Sequence, residues 1–115
     1  MIQTSTDLNL KILAIADGDE DFKLELTKAI HTGLIELKTV YKQGNDAKDE
    51  VTIQQIRHKM KPTLVMFDFD ELIVEMQIGK DIVESEGFTD RFSAHVLKMD
   101  KLVDAEIEKV GMLLK

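Results

Sequence analysis

The stretch from Asp19 to Gly44, DEDFKLELTKAIHTGLIELKTVYKQG, spaces its apolar residues for a helix and not for a strand. Phe22, Leu26, Ala29, Ile30, Gly33, Leu37, Val40 and Tyr41 recur mostly three and four positions apart, the pattern of one helix face. Asp19 is suited to cap the N-terminus, and Glu20 and Asp21 complement the positive end of the helix dipole. Gly44-Asn45 supplies a stop signal. A helix over Asp19–Gln43 is about 37 Å long at roughly 1.5 Å per residue, a length that suits a bundle.

Working outward, four more helices are expected. A short one over Thr6–Ala16 places Leu8, Ile12 and Ile15 on one face and stops at Asp17-Gly18. A third runs from about Asp46 to Phe67, with Ile53, Ile56, Met60, Leu64 and Phe67 as its stripe. Pro62 lies inside it. Proline has no N–H for the His58 carbonyl and its ring crowds that turn, so a kink or local loosening is expected there. The fourth begins near Asp68 or Asp70 and ends near Glu86-Gly87, with Phe69, Leu72, Met76, Gly79 and Val83 on one face. The fifth starts at Thr89, with Phe88 placed as a hydrophobic staple. Its stripe is Phe92, Val96, Met99, Val103, Val110 and Leu114, with Ile107 beside it. Four long amphipathic helices joined by short loops predict an all-α fold: an up-down-up-down four-helix bundle with a short additional N-terminal helix, one domain over residues 1–115.

Composition narrows the function classes. The chain has 115 residues, 15 basic and 22 acidic, for a net charge of −7. Binding to nucleic acid or to an anionic membrane needs a basic face, so neither is expected as a partner. There are no cysteines, which excludes disulfides, thiol catalysis and thiolate zinc sites. No segment approaches the ~20 apolar residues of a membrane span. The N-terminus does not read as a signal peptide. The simplest location is the cytoplasm, and the start at Met1 suggests a free-standing protein.

Three histidines are available for chemistry. His31 falls about opposite the second helix's stripe and is expected in solvent. His95 falls near the edge of the fifth stripe and reads as a boundary residue with a wetted tip. His58 points roughly 150° from the stripe of Ile53, Ile56 and Met60, onto the outer face. Val51, Gln54, Gln55, Lys61, Pro62 and Val65 share that face, and Lys59 and Lys61 flank the imidazole. Apolar side chains beside a reactive group on an outer face point to docking. Read without them, His58 is an ordinary exposed histidine. No Glu-x-x-His pair, no His pair at metal spacing and no glycine-rich phosphate loop is present, so no metal site is expected. The carboxylates read as solvating charge.

The third helix resembles the phosphoacceptor helix of histidine-containing phosphotransfer domains. The family pattern is an aspartate, two core aliphatics, then His-x-Leu-Lys-Gly-Ser. Asp49 falls on the aspartate, Ile53 and Ile56 on the aliphatics, His58 on the phosphorylated histidine, Met60 on the leucine and Lys61 on the lysine. Asp7-Leu8, the short helix, and Gly18-Asp19-Glu20-Asp21-Phe22 opening the long helix are also similar to the family, so the resemblance covers nearly the whole chain. The chain departs from the pattern at Pro62 for glycine, Thr63 for serine and Arg57 where a small residue is common.

The resemblance implies reversible phosphoryl transfer between His58 and an aspartate on the receiver domain of a response regulator or hybrid histidine kinase. Lys61 would stabilise the phosphoryl charge. Lys59 would act as a second screen or a docking contact, and Gln54 or Gln55 would orient the imidazole. Val51, Pro62 and Val65 would meet the partner. The chain would have no cofactor of its own, because the receiver brings the Mg²⁺, and a monomer is implied. The competing expectation is a bundle that docks a receiver or another partner without phosphorylation, favoured by Pro62 and Arg57.

Overall fold

The computed structural model describes the backbone from Thr4 and the side chains from Leu8 through Lys115. Asp7, part of the resemblance, lies outside the described side chains. Five helices follow in order: α1 (Thr4–Ala16), α2 (Glu20–Ala47), α3 (Glu50–Met66), α4 (Asp70–Glu86) and α5 (Asp90–Leu113). Among the described residues there is no strand. The helices pack as a ring, α2 on α3, α3 on α4, α4 on α5 and α5 on α2, while α1 lies on α2 and α5. At roughly 1.5 Å per residue α2 spans about 42 Å. That is most of the molecule's 47 Å long dimension. No helix of the described residues is long and apolar enough to cross a membrane.

Side-chain caps account for the starts of α2, α3 and α5, while α4 begins after Phe69 without one. The Asp19 carboxylate accepts from the Phe22 N–H at 3.0 Å. The Thr89 hydroxyl accepts from the Phe92 N–H. Phe88 then packs its ring edge-on to Phe92, 5.3 Å between centroids, as a staple does. Asp49 caps α3, taking the Val51 and Thr52 N–H groups and the Thr52 hydroxyl. Those bonds, with that of Thr52 foremost, hold the Asp49 carboxyl below its ordinary range.

Several boundaries differ from the sequence-based expectation. Gly44 does not stop α2. A Cβ there would stand 2.5 Å from Ile53 Cγ1, so the glycine lets α3 close onto α2. The helix continues to Ala47 and ends at Lys48 in the left-handed conformation, φ 53°, with the Asp49 N–H returning to the Gly44 carbonyl. Consequently α3 starts at Glu50 and not at Asp46. Pro62, where a kink or loosening is expected, lies inside α3, and the helix runs on through Met66. The His58 carbonyl loses only its partner at residue 62, and His58 is exposed, so water can take that bond.

The core contains Leu34, Leu37, Ile53, Leu64, Phe92 and Val103, each essentially inaccessible. Met60, Met76 and Met99 fill core positions as their stripes imply. On α2 the buried positions are Thr27, Ile30, Leu34, Leu37, Tyr41 and Gly44. Phe22 and Ala29, expected on that stripe, are exposed. The helix packs on α1, α3 and α5 at once, and three neighbours rotate and widen its buried face. Likewise Ile15 is exposed, and Ala16 takes the buried place at the end of α1. His31 is half-buried, its ring beside Gly111, and not fully solvated as its position on the helix implied.

Gly79 makes the tightest approach of the described glycines. A Cβ on it would stand 2.1 Å from His95 Nε2. Gly79→Ala is therefore expected to destabilise by about 1–3 kcal/mol or more through overpacking. Gly33 faces only the flexible end of Met60, at 3.1 Å. Gly33→Ala should leave stability unchanged or raise it by up to about 1 kcal/mol through helix propensity. Urea unfolding of both variants checks this pair, and equal losses would remove the steric argument.

Candidate functional site

His58 stands exposed on α3. Helical spacing puts Val51, Gln55, His58, Pro62 and Val65 on one stripe, opposite the buried Ile53, Ile56, Met60 and Leu64. All five stripe residues are exposed, Val51 at 59% and Val65 at 54%. The stripe borders a groove of about 630 Å³ between α3 and α4. From α3 come Arg57, His58, Lys61, Pro62, Leu64, Val65 and Met66, and from α4 come Ile73, Met76, Gln77 and Lys80.

The groove is cationic in an acidic chain. Arg57, Lys61 and Lys80 line it together with His58, and no carboxylate does. Neither Lys61 nor Lys80 forms an ion pair among the described residues. Lys59 lies on the other side of α3, where it pairs with Glu36 of α2 at 2.8 Å, and it does not line the groove. Gln54 and Gln55 are exposed, outside the groove. The structure thus brings His58, Lys61, Pro62 and Val65 around one concavity. It leaves Lys59, Gln54, Gln55 and Val51 outside it.

Arg57 is only 8% exposed, and its Nη1 has no hydrogen-bond partner among the described residues. Its charge acts on Tyr41 and on His95. It belongs to a polar set within the core to which each long helix contributes one residue: Tyr41 (α2), Arg57 (α3), Glu75 (α4) and His95 (α5).

His95 is 4% exposed, not a wetted boundary residue. Its Nδ1 lies 2.7 Å from Glu75 Oε2, and its Nε2 lies 2.6 Å from the Tyr41 hydroxyl. Burial pushes the imidazole's pKa down despite the opposing pull of Glu75. A neutral ring that donates from Nδ1 to the carboxylate and accepts the Tyr41 hydroxyl proton at Nε2 satisfies both contacts. Glu75 is also buried, contrary to the reading of the carboxylates as solvating charge. Burial pushes its carboxyl up, but the hydrogen bonds from His95 and from Lys98, the latter at 3.3 Å, outweigh it and leave the net shift downward. Burial also raises the Tyr41 hydroxyl far above its ordinary value, so it remains a donor.

Sequence reasoning missed this set and the α4 wall of the groove. Both left a signal. Glu75 interrupts the apolar run Leu72-Ile73-Val74 and Met76, and a lone charge there calls for a buried partner. Ile73, Met76, Gln77 and Lys80 have the spacing of a single helix face. Among the described residues no cluster of His, Asp or Glu could hold a metal ion. No family model, curated protein or solved structure matches this chain.

The buried pair sets a pH dependence. His95 has a folded-state pKa below its ordinary 6.5, so the unfolded chain binds the proton more readily. Its contribution to stability is complete above that value and is lost as pH falls through 6.5 towards the folded pKa. Glu75 is held below 4.5, so its contribution is present above 4.5 and is lost at lower pH. Both act in one direction. Urea midpoints should fall in two stages on acidification, the first beginning below about pH 6.5. An NMR titration that finds His95 protonated at pH 7 would refute the neutral tautomer.

Proposed function

We propose that this chain is a histidine phosphotransfer protein of a two-component phosphorelay, with His58 as the phosphoacceptor. The observation that carries the reading is the position of His58: exposed on a continuous helix, between apolar side chains and beside Lys61, which has no ion-pair partner among the described residues. In this reading the ring of α2, α3, α4 and α5, with its short turns, is an up-down-up-down four-helix bundle, and α1 is the added N-terminal helix. The resemblance of the Asp49–Thr63 segment to the family's phosphoacceptor helix supports the same conclusion.

The chemistry requires little of this chain beyond positioning and charge. One nitrogen of the neutral imidazole attacks the phosphorus of an aspartyl phosphate on the receiver. The P–N bond forms as the P–O bond to the aspartate breaks, and the carboxylate leaves with the electron pair. The other ring nitrogen keeps its proton. Lys61, three residues on from His58, compensates the phosphoryl charge. The resemblance implies that the receiver brings the Mg²⁺. Val51, Pro62 and Val65 supply apolar contact to the receiver, and Lys59, held by Glu36, has a peripheral part. The cytoplasm, where such receivers act, is the location this reading implies, and one copy of the chain suffices.

The exposed Val51–Pro62–Val65 stripe also favours a second reading, a docking module that binds a receiver without accepting phosphate. Labelled phosphoryl transfer from a panel of phosphorylated receivers separates the two. Wild type should take up acid-labile label. His58→Gln should take up none while keeping its stability within about 0.5 kcal/mol, as surface substitutions do. Lys61→Ala should slow transfer roughly tenfold through loss of a charge-assisted contact. Lys59→Ala should change it little. Binding without label from any receiver establishes the docking module instead.

A further inference from the structure

Chemically, the α3–α4 groove is more than a patch beside His58. Its walls are apolar: Leu64, Val65 and Met66 on one side, Ile73 and Met76 on the other. Its polar groups are cations or neutral, with Arg57, Lys61 and Lys80 unopposed by any lining carboxylate. In a chain of net charge −7, a groove lined by three cationic side chains and no carboxylate is chemically distinctive. Arg57 is 8% exposed, and its enclosed Nη1 has no hydrogen-bond partner among the described residues, which is costly for a charged group. A volume of about 630 Å³ lies within the range of small-molecule sites, which pair apolar walls with a few polar anchors.

We infer that this groove binds a small amphiphilic carboxylate, its apolar body against Met66, Ile73 and Met76 and its anionic head held by Arg57, Lys61 and Lys80. The carboxylate oxygens match the planar guanidinium, and the two lysines bring further positive charge to the head. A neutral amphiphile would leave the cations uncompensated, and a cationic one would be repelled. His58 lines the same groove, so an occupant screens one side of its imidazole.

The test uses the whole chain and octanoate as probe, with octanol, octyltrimethylammonium and propanoate as controls. Calorimetry and methyl NMR of the methionines and isoleucines read binding and location. Saturable octanoate binding is expected, with shifts centred on Met66, Ile73 and Met76. Octyltrimethylammonium should not bind, and octanol and propanoate should bind at least about tenfold more weakly, because each lacks one half of the recognition. Lys80→Gln and Lys61→Gln should each weaken octanoate about fivefold. Arg57→Gln should weaken it more, and because Arg57 is buried its fold is checked alongside. The lysine variants keep the test decisive if Arg57→Gln does not fold. Three results overturn the inference: no saturable binding, equal binding of octanol, or shifts confined to exposed methyls outside the groove, such as those of Ile15, Ile35 and Met112. No receiver or phosphoryl donor is present, so the outcome is independent of the relay experiment.

Discussion

The approach of His95 to Gly79 is the constraint on which the packing of this fold depends. The ring of His95 on α5 occupies the space a Cβ would take on α4, so these two helices meet more closely there than any other residue would allow. Once seated, the imidazole is held from two sides, by Glu75 of α4 and by Tyr41 of α2. Losing either partner would leave a buried polar atom unpaired, at a cost of about 1–3 kcal/mol. Three helices are thereby fixed in register by one side chain. Apolar packing alone sets register less strictly, because aliphatic surfaces can slide and repack at small cost.

The position of α3 follows from that frame. It packs between α2 and α4, with Gly44 admitting Ile53 on one side. Its buried face carries Ile53, Ile56, Arg57, Met60 and Leu64, so the opposite stripe faces outward. Asp49 holds the start of the helix, and the helix stays continuous past Pro62. His58 is thus presented on the outer face of a continuous, capped helix, as the proposed in-line transfer requires. Arg57, one residue earlier, is buried yet lines the groove together with the exposed Lys61. Neighbouring positions on one helix acquire different roles because successive residues are rotated by about 100°.

The site was only half legible. The outward direction of His58 and the company of Lys61, Pro62 and Val65 follow from spacing within one helix. The α4 wall, with Lys80 and Ile73, does not, because nothing in the order of residues states which helices face each other. Lys59 shows the same limit: beside His58 in sequence, it lies across from Glu36 of α2 in the fold. Gly44 was legible as a glycine but not as a contact, and its apparent stop signal was a close approach to Ile53.

By itself the sequence determined the helical class, the number of helices and most of their starts. These are short-range effects, set by spacing along one helix and by capping within three residues. Tertiary structure alone decided that His95 and Glu75 lie inside, that Phe22 and Ile15 lie outside, and that Arg57, Lys61 and Lys80 share one groove. Burial of a polar group depends on partners supplied by other helices, here residues 20 and 54 positions away. No local pattern encodes that distance, and only the closed packing of the helices brings those residues together.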